Sequence, residues 1–170
     1  MAGGDAWDEA ARNRALVGVL ADLRAYARGL VGTREAADDL VQDTMVRALK
    51  VGAQLPPPGE LRPWLFVVLR HRWLDTHRRR HRERRAIGEI AAQPPPVEPA
   101  PPPDLARLAV AIAALPATQR EALLLTATAN FSPAQAAAIV NVPEGTLRAR
   151  ASRARAALRR ALGQDRPGAD

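Results

Sequence analysis

Residues 93–103 read Gln-Pro-Pro-Pro-Val-Glu-Pro-Ala-Pro-Pro-Pro, and this stretch divides the chain into two parts. Proline at this density excludes helix and sheet, because each proline lacks a backbone N–H, and it leaves an extended polyproline-like chain. At about 3.1 Å per residue the stretch would span roughly 34 Å as a semi-rigid spacer. The alternative is a proline-rich ligand for a partner domain. We predict a linker at 91–103 between domains at 10–90 and 104–163.

The part before the linker shows the apolar periodicity of three helices. The first helix carries its apolar face on Leu16, Leu20, Leu23, Ala27 and Leu30, and it ends at Gly32. The second begins near Thr33, and its apolar set is Ala37, Leu40, Val41, Thr44, Met45, Ala48 and Leu49. After a loop at 51–59, we expect the third helix to begin with Pro63 in its first turn.

The part after the linker predicts four shorter helices. The first begins at Asp104, and its buried positions are Leu105, Leu108, Ile112 and Leu115. Capping boxes at Thr118 with Glu121 and at Ser132 with Gln135 predict where the second and third begin. The last runs to about Leu162 and buries Leu147, Ala151, Ala154, Leu158 and Leu162. The fold class is therefore all-α, with two small helical domains joined by a Pro-rich linker.

Charge is distributed unevenly along the chain. The formal net charge is +7, with seven Lys or Arg and nine Asp or Glu in residues 1–60 but eighteen and nine in residues 61–170. A positive excess confined to one part of the chain predicts a polyanionic partner for that part. Aromatic residues make up only 4% of the chain, so Leu, Val, Ile and Ala must build the cores, which favours helices.

Several classes of protein are disfavoured by simple features of the sequence. The chain contains no cysteine, which excludes disulfides and thiolate metal sites. Residues 1–10 lack the basic-then-apolar layout of a signal peptide. The uncharged run 122–143 is interrupted by proline and polar residues, which favours two short helices over a membrane span. We expect a cytoplasmic protein with no membrane insertion.

The last two predicted helices form a helix-turn-helix. A short helix, a tight turn around Asn141 and a longer arginine-rich helix are typical of this DNA-binding motif. Its polar positions lie off the buried face, at Arg148, Arg150, Ser152, Arg153 and Arg155. The planar guanidinium can donate to two acceptors on guanine at once. The alternative is a solvated basic face on an ordinary helical hairpin.

Two further clusters precede the linker. The third helix becomes densely basic from Arg70 to Arg85, with Trp64 and Trp73 nearby, a pairing that suits single-stranded or melting DNA. His77 and His81 have the spacing of a helical metal pair, but the surrounding arginines would repel a cation, and we expect no metal. On the second helix, acidic and amide side chains favour a docking surface for a basic protein, with plain solvation as the alternative.

Taken together, these blocks resemble the extracytoplasmic-function (ECF) sigma factors, the smallest two-domain bacterial sigma factors. The segment Ala-Asp-Asp-Leu-Val-Gln-Asp-Thr at 37–44 is similar to the family's polymerase-binding helix. The segment at 61–66, with Asp75 downstream, resembles its minus-ten recognition segment. Residues 115–122 resemble the start of its second domain, and residues 145–155 its minus-thirty-five recognition helix.

The resemblance implies a role for each cluster. Polymerase binding would fall to Asp38, Asp39, Gln42 and Asp43. The minus-ten element would be bound by Gly59, Glu60, Arg62, Trp64, Arg70, His71, Trp73, Arg78, Arg79 and Arg80. The minus-thirty-five element would be bound by Thr146, Arg148, Arg150, Ser152, Arg153 and Arg155.

The implied function is that of a sigma factor, which confers promoter recognition and open-complex formation on core RNA polymerase. It would use no cofactor, would not be an enzyme, and would serve a stress or envelope-response regulon under an anti-sigma factor. One alternative is a sigma-like decoy that binds an anti-sigma protein without initiating transcription. Another is a stand-alone helix-turn-helix repressor, which would leave the acidic helix face unused.

Overall fold

The fold is a set of helices in two groups, one before and one after the linker. A computed structural model describes residues 8–87 and 102–163. The helices are α1 (Glu9–Val31), α2 (Arg34–Val51), α3 (Pro58–Ile87), α4 (Pro103–Ala113), α5 (Ala117–Ala127), α6 (Pro133–Val140) and α7 (Glu144–Ala161). A 3₁₀ turn at Gly52–Gln54 follows α2, and no strand occurs in the two described ranges. Most of the predicted linker, up to residue 101, lies outside the described residues.

Several helix ends follow from the capping chemistry of the sequence. Thr33 accepts a hydrogen bond from the backbone N–H of Ala36 at the start of α2, and Gly32 ends α1 in the left-handed conformation. The capping box of Ser132 with Gln135 is confirmed at the start of α6. Asn141 follows that helix with a φ of 55°, as the tight turn requires.

Two predicted helix starts are wrong. Helix α3 begins at Pro58 rather than near Pro63, because Pro58 can occupy the first turn, where its missing N–H leaves no bond unmade. The N-cap of α5 is Pro116, which has no side-chain acceptor, so Thr118 and Glu121 form no capping box. Glu121 is instead buried against the first domain.

Several predicted burials are also wrong, and the two most exposed of these side chains lie on α4 and α2. Leu108, Ile112, Leu158 and Leu162 are only half-buried. On α4, Leu105 is 55% exposed, because the helix packs against α1 and α7 only along its later turns. No residue of α4 itself is buried, although Leu115 just beyond it is. On α2, Leu49 is 52% exposed, because it faces away from α1 and α3.

The two groups of helices pack against each other. Helix α1 contacts α4 and α5, and α3 contacts α6. Most buried side chains of both groups join in one core, in which Tyr26 lies 5.1 Å from Phe66 and Phe66 lies 4.8 Å from Phe131, measured between ring centroids. Phe131 precedes α6, so this row of rings runs from the first domain into the second. A second, smaller cluster in the second group contains Leu115, Leu123 and Ala154.

Candidate functional site: polymerase and promoter surfaces

Helix α2 presents the predicted acidic face to solvent. Asp39 and Gln42 are exposed. Asp38 lies 3.5 Å from Arg24 and 3.8 Å from Arg34, so part of its charge is balanced within the first domain. Asp43 pairs with Arg72 of α3 at 3.1 Å.

The sequence analysis did not predict that two apolar side chains on α2 are exposed. Val46 is 43% exposed, and Leu49 is 52% exposed. Val46 lies one turn beyond Gln42 and Leu49 two turns beyond it, on the same side of α2. Exposed apolar side chains next to carboxylates are typical of a protein-binding face. The signal was available in the sequence, but helical periodicity assigned Leu49 to the core.

The start of α3 holds the first of the predicted minus-ten residues. Gly59 and Glu60 are exposed in its first turn, and Trp64 is half-buried against the core. Arg62 is engaged: its Nε and Nη2 donate to Asp22 Oδ2 at 3.0 and 2.9 Å, and Nη2 also donates to the carbonyl of Ala129. Its guanidinium carbon lies 4.3 Å from the centroid of the Phe131 ring, a cation–π distance.

Two turns further along α3, Arg70 contacts the second domain. Its Nε donates to Glu121 Oε1 at 2.5 Å. Glu121 is 2% exposed. Burial raises the pKa of Glu121, while the hydrogen bond and charge of Arg70 and the charge of Arg150 act in the opposite direction. One carboxylate thus interacts with an arginine from each predicted DNA-binding helix.

The remaining residues predicted to bind the minus-ten element differ in their exposure to solvent. Trp73 is buried and belongs to the core, so its ring is not available for base stacking in this conformation. His71 is exposed. An open groove between α2 and α3 is lined by Asp43, Arg72, Asp75, Thr76, Arg78, Arg79 and Arg82. The side chain of Arg80 lies outside the described residues.

The predicted minus-thirty-five residues lie on α7, and all but one are exposed. The buried face of this helix consists of Leu147, Ala151 and Ala154. The exposed members are Thr146, Arg148, Ser152, Arg153 and Arg155. Arg148 Nε donates to Glu144 Oε1 at 2.7 Å one turn earlier, whereas Arg150 is half-buried.

Among residues 8–87 and 102–163, no three His, Cys, Asp or Glu side chains are grouped to hold a metal ion. No helix within these ranges is long and apolar enough to cross a membrane.

An all-helical chain whose second part ends in a helix-turn-helix with an exposed arginine face falls in the class of helix-turn-helix DNA-binding proteins. Comparison with known families narrows the class. Residues 18–83 match the family model for Sigma-70 region 2, and residues 105–158 match that for Sigma-70, region 4.

Known proteins agree with these matches. The ECF RNA polymerase sigma factor EcfG of Rhodopseudomonas palustris (strain TIE-1) is 36% identical over 145 residues, which cover 84% of this chain and 80% of that protein. The sigma factor RpoE in complex with the anti-sigma factor NepR from Bartonella quintana superposes with a TM-score of 0.80 at 35% identity, covering 91% of this chain and 98% of that one. This chain belongs to the ECF RNA polymerase sigma factors.

A third comparison concerns a different assembly. The PhyRSL–NepR complex from Sphingomonas sp. Fr1 contains a chain with a TM-score of 0.64 and 25% identity, and the match covers 93% of each chain. The similarity is lower than that to the Bartonella sigma factor in both measures.

Proposed function

We propose that this chain directs core RNA polymerase to a set of promoters, with residues 10–90 acting as the region 2 domain and residues 104–163 as the region 4 domain. Polymerase would make and break all covalent bonds, so the chain itself would not be an enzyme. Its contribution would be binding energy for the opened promoter. We place it in the cytoplasm, where polymerase acts.

The observation that carries this proposal is the arginine face of α7. Arg148, Arg153 and Arg155 are exposed, and none of them belongs to the buried face of the helix. The capping box before α6 and the left-handed Asn141 fix the turn that sets α7 against α6. A recognition helix held in this way can enter a major groove with its side chains free to meet base edges. We assign minus-thirty-five recognition to this face.

Polymerase binding would use α2. Asp39, Gln42 and Asp43 lie on exposed turns beside Val46 and Leu49, so the face combines negative charge with apolar area. Charges of this kind steer association with a basic partner, while apolar area stabilises the complex once formed.

The minus-ten element would be held by α3 and the loop before it. The groove arginines, with Arg78 and Arg79 among them, would hold phosphates, and the exposed first turn at Gly59 would lie beside an extruded base. Arg62 and Arg70 would join this surface only after leaving their present partners.

Regulation by an anti-sigma protein is part of the proposal, because the sigma factor from Bartonella quintana is bound to one. A stress or envelope-response regulon belongs to the proposal on the ground of the family resemblance alone. A tagged copy purified from unstressed cells should bring down a small partner that is absent after induction. Purification of the chain alone under both conditions would contradict this part.

A decoy that binds an anti-sigma protein without initiating transcription is the second candidate, since a chain of the PhyRSL–NepR complex shares the fold. The arginine face of α7 favours initiation, because a decoy has no need of Arg148, Arg153 and Arg155.

One experiment separates the two. The chain is combined with bacterial core polymerase and fragmented genomic DNA from the source organism, and RNA start sites are mapped. Discrete starts that share two spaced motifs and vanish without the chain establish a sigma factor. The Asp39→Ala/Asp43→Ala variant should lose both polymerase binding and these starts. An absence of chain-dependent starts, with a control sigma factor active, would favour the decoy.

A further inference from the structure

The first turn of α7 contains an ion pair whose geometry bears on the minus-thirty-five surface. Glu144 is the first residue of this helix, and Arg148 lies four residues later on the same side of it. Arg148 Nε donates to Glu144 Oε1 at 2.7 Å, and Nη2 of the same guanidinium lies 2.5 Å from that oxygen. The carboxylate therefore holds one edge of the guanidinium, the edge that Nε and Nη2 form.

The outer edge of the same guanidinium faces away from Glu144. This edge consists of one N–H donor of Nη1 and one of Nη2, which lie in the plane of the group. The Arg148 side chain is 65% exposed, so DNA can reach the outer edge. Guanine presents O6 and N7 side by side in the major groove, and two parallel N–H donors match them. A guanidinium that a carboxylate already holds loses less rotamer freedom on binding than one without such a contact.

Glu144 itself has the capacity for a second contact. Both of its contacts with Arg148 are made by Oε1, so Oε2 of this 41% exposed side chain can accept a hydrogen bond from outside the protein. The donor in the major groove that suits a carboxylate is the N4 amino group of cytosine. The surface is open here, since a Cβ built at Gly145 would meet no atom within 4 Å. Recognition helices contact base edges with their N-terminal residues, which is where both side chains lie.

We propose that Glu144 is a positioning and specificity-determining residue for minus-thirty-five recognition. It holds Arg148 in the orientation that donates to guanine O6 and N7, and its Oε2 accepts a hydrogen bond from N4 of a cytosine in a neighbouring base pair. The inference rests on the proposed function of α7. A carboxylate also repels phosphates, so Glu144 weakens binding to every sequence while it favours the one that supplies these two bases.

A purely structural role for Glu144 leads to a different expectation. An acidic residue in the first turn stabilises a helix through the macrodipole, and loss of that effect would lower initiation at every promoter by the same factor. Asp104 provides a matched control, because it is an exposed acidic residue in the first turn of α4. Base preference at single positions, rather than overall activity, therefore separates the two roles.

The test combines the full chain with core polymerase and a library of fragments of one mapped promoter. The minus-thirty-five element is randomised, and a barcode in the transcribed region reports initiation for each base at each position. We expect Arg148→Ala to lose an about tenfold preference for guanine at one position. Glu144→Gln should lower that preference about threefold and abolish a cytosine preference at a neighbouring position, while initiation on unmatched fragments does not fall. Asp104→Asn should keep both preferences.

The double variant Glu144→Gln/Arg148→Ala shows whether the first residue acts through the second. It should lose no more of the guanine preference than Arg148→Ala alone, because without the arginine there is nothing for Glu144 to position. Additive losses at that guanine, unchanged preferences in Glu144→Gln, or an equal fall on all fragments in that variant would each contradict the proposal. A wild-type chain that gives no chain-dependent transcripts would instead overturn the proposed function, and the role of Glu144 with it.

Discussion

The arginines of α3 and those of α7 have the same side chain and the same proposed ligand, but the structure places them in opposite situations. Arg62 and Arg70 are part-buried and bound to carboxylates and a carbonyl. Arg148 and Arg153 of α7 are exposed and lie outside its buried face. The first pair therefore contributes to the packing of the two domains, whereas the second pair is available to DNA in the same conformation.

The difference arises from where each arginine lies relative to the apolar face of its helix. Arg62 and Arg70 flank Phe66 on α3, the face that meets the second domain. The exposed arginines of α7 lie outside the buried face that Leu147, Ala151 and Ala154 form. An arginine-rich helix is thus not one uniform surface, and substitution at the two places should have different consequences.

The largest effect is expected from α7. Arg148→Ala/Arg153→Ala removes two guanidinium groups that could each contribute ~1–3 kcal/mol of base discrimination. Initiation at promoters that depend on the upstream element should fall about a hundredfold, while the melting temperature stays within the range of a neutral surface substitution. Promoter-specific transcription and a thermal melt measure the two quantities. A large loss of stability would mean that α7 packs against more than its visible neighbours.

Arg62→Ala should lower the stability of the protein, unlike the substitutions on α7. The variant loses charge-assisted hydrogen bonds to Asp22 and Ala129 and the contact with Phe131, which together should destabilise the chain by about 1.5–3 kcal/mol. The melting temperature should fall by several degrees, whereas Arg153→Ala, the matched control on α7, should leave it unchanged. Equal melting temperatures of Arg62→Ala and Arg153→Ala would contradict the proposed difference between α3 and α7.

Two glycines of α1 probe the interface without any change of charge. At Gly29 a new Cβ would lie 2.5 Å from Cδ2 of the buried Leu124, whereas at Gly18 it would meet nothing within 4 Å. We expect Gly29→Ala to destabilise the chain by about 1–2 kcal/mol, because overpacking exceeds the gain in helix propensity. Gly18→Ala should stabilise it by up to about 1 kcal/mol. Urea unfolding gives both values, and stabilisation by both substitutions would show that α1 and α5 are not in close contact.

The smallest expected effect is a dependence of the packing of the two domains on pH. Burial raises the pKa of Glu121 in the closed state, in which the two domains are packed together, and separated domains would return it toward its ordinary range. Closure therefore takes up protons, so the contribution of this carboxyl group to closure is present at low pH and is lost as the pH rises through the raised pKa. The charged and titratable groups that interact with Glu121 are Arg70, Arg150 and Tyr26.

Fluorescence transfer between dyes on the two domains measures the closed fraction. This fraction should decline in wild type as the pH rises above the ordinary pKa range of a glutamate, and it should show no such slope in Glu121→Gln. A slope that survives in the variant would assign the pH dependence to another group.

The sequence predicted most of the helices and the exposed α7 face, because apolar periodicity, Ser132 with Gln135, and Asn141 are local signals. It did not predict the interface, because Arg62 meets Asp22 and Ala129 from 40 and 67 positions away along the chain. A basic helix face looks the same in a sequence whether water, DNA or another domain covers it. Glu121 illustrates this limit, since its spacing from Thr118 fits a capping box although its partner is Arg70.

Chemical modification of arginine in the free protein tests the contrast between α3 and α7 most directly. The folded chain is treated with phenylglyoxal, and the extent of modification at each arginine is measured by mass spectrometry over time. The account predicts rapid modification of Arg153, which is exposed, and slow modification of Arg62 and Arg70, which are part-buried and hydrogen-bonded. Equal rates at Arg62, Arg70 and Arg153 in the wild-type protein would contradict it.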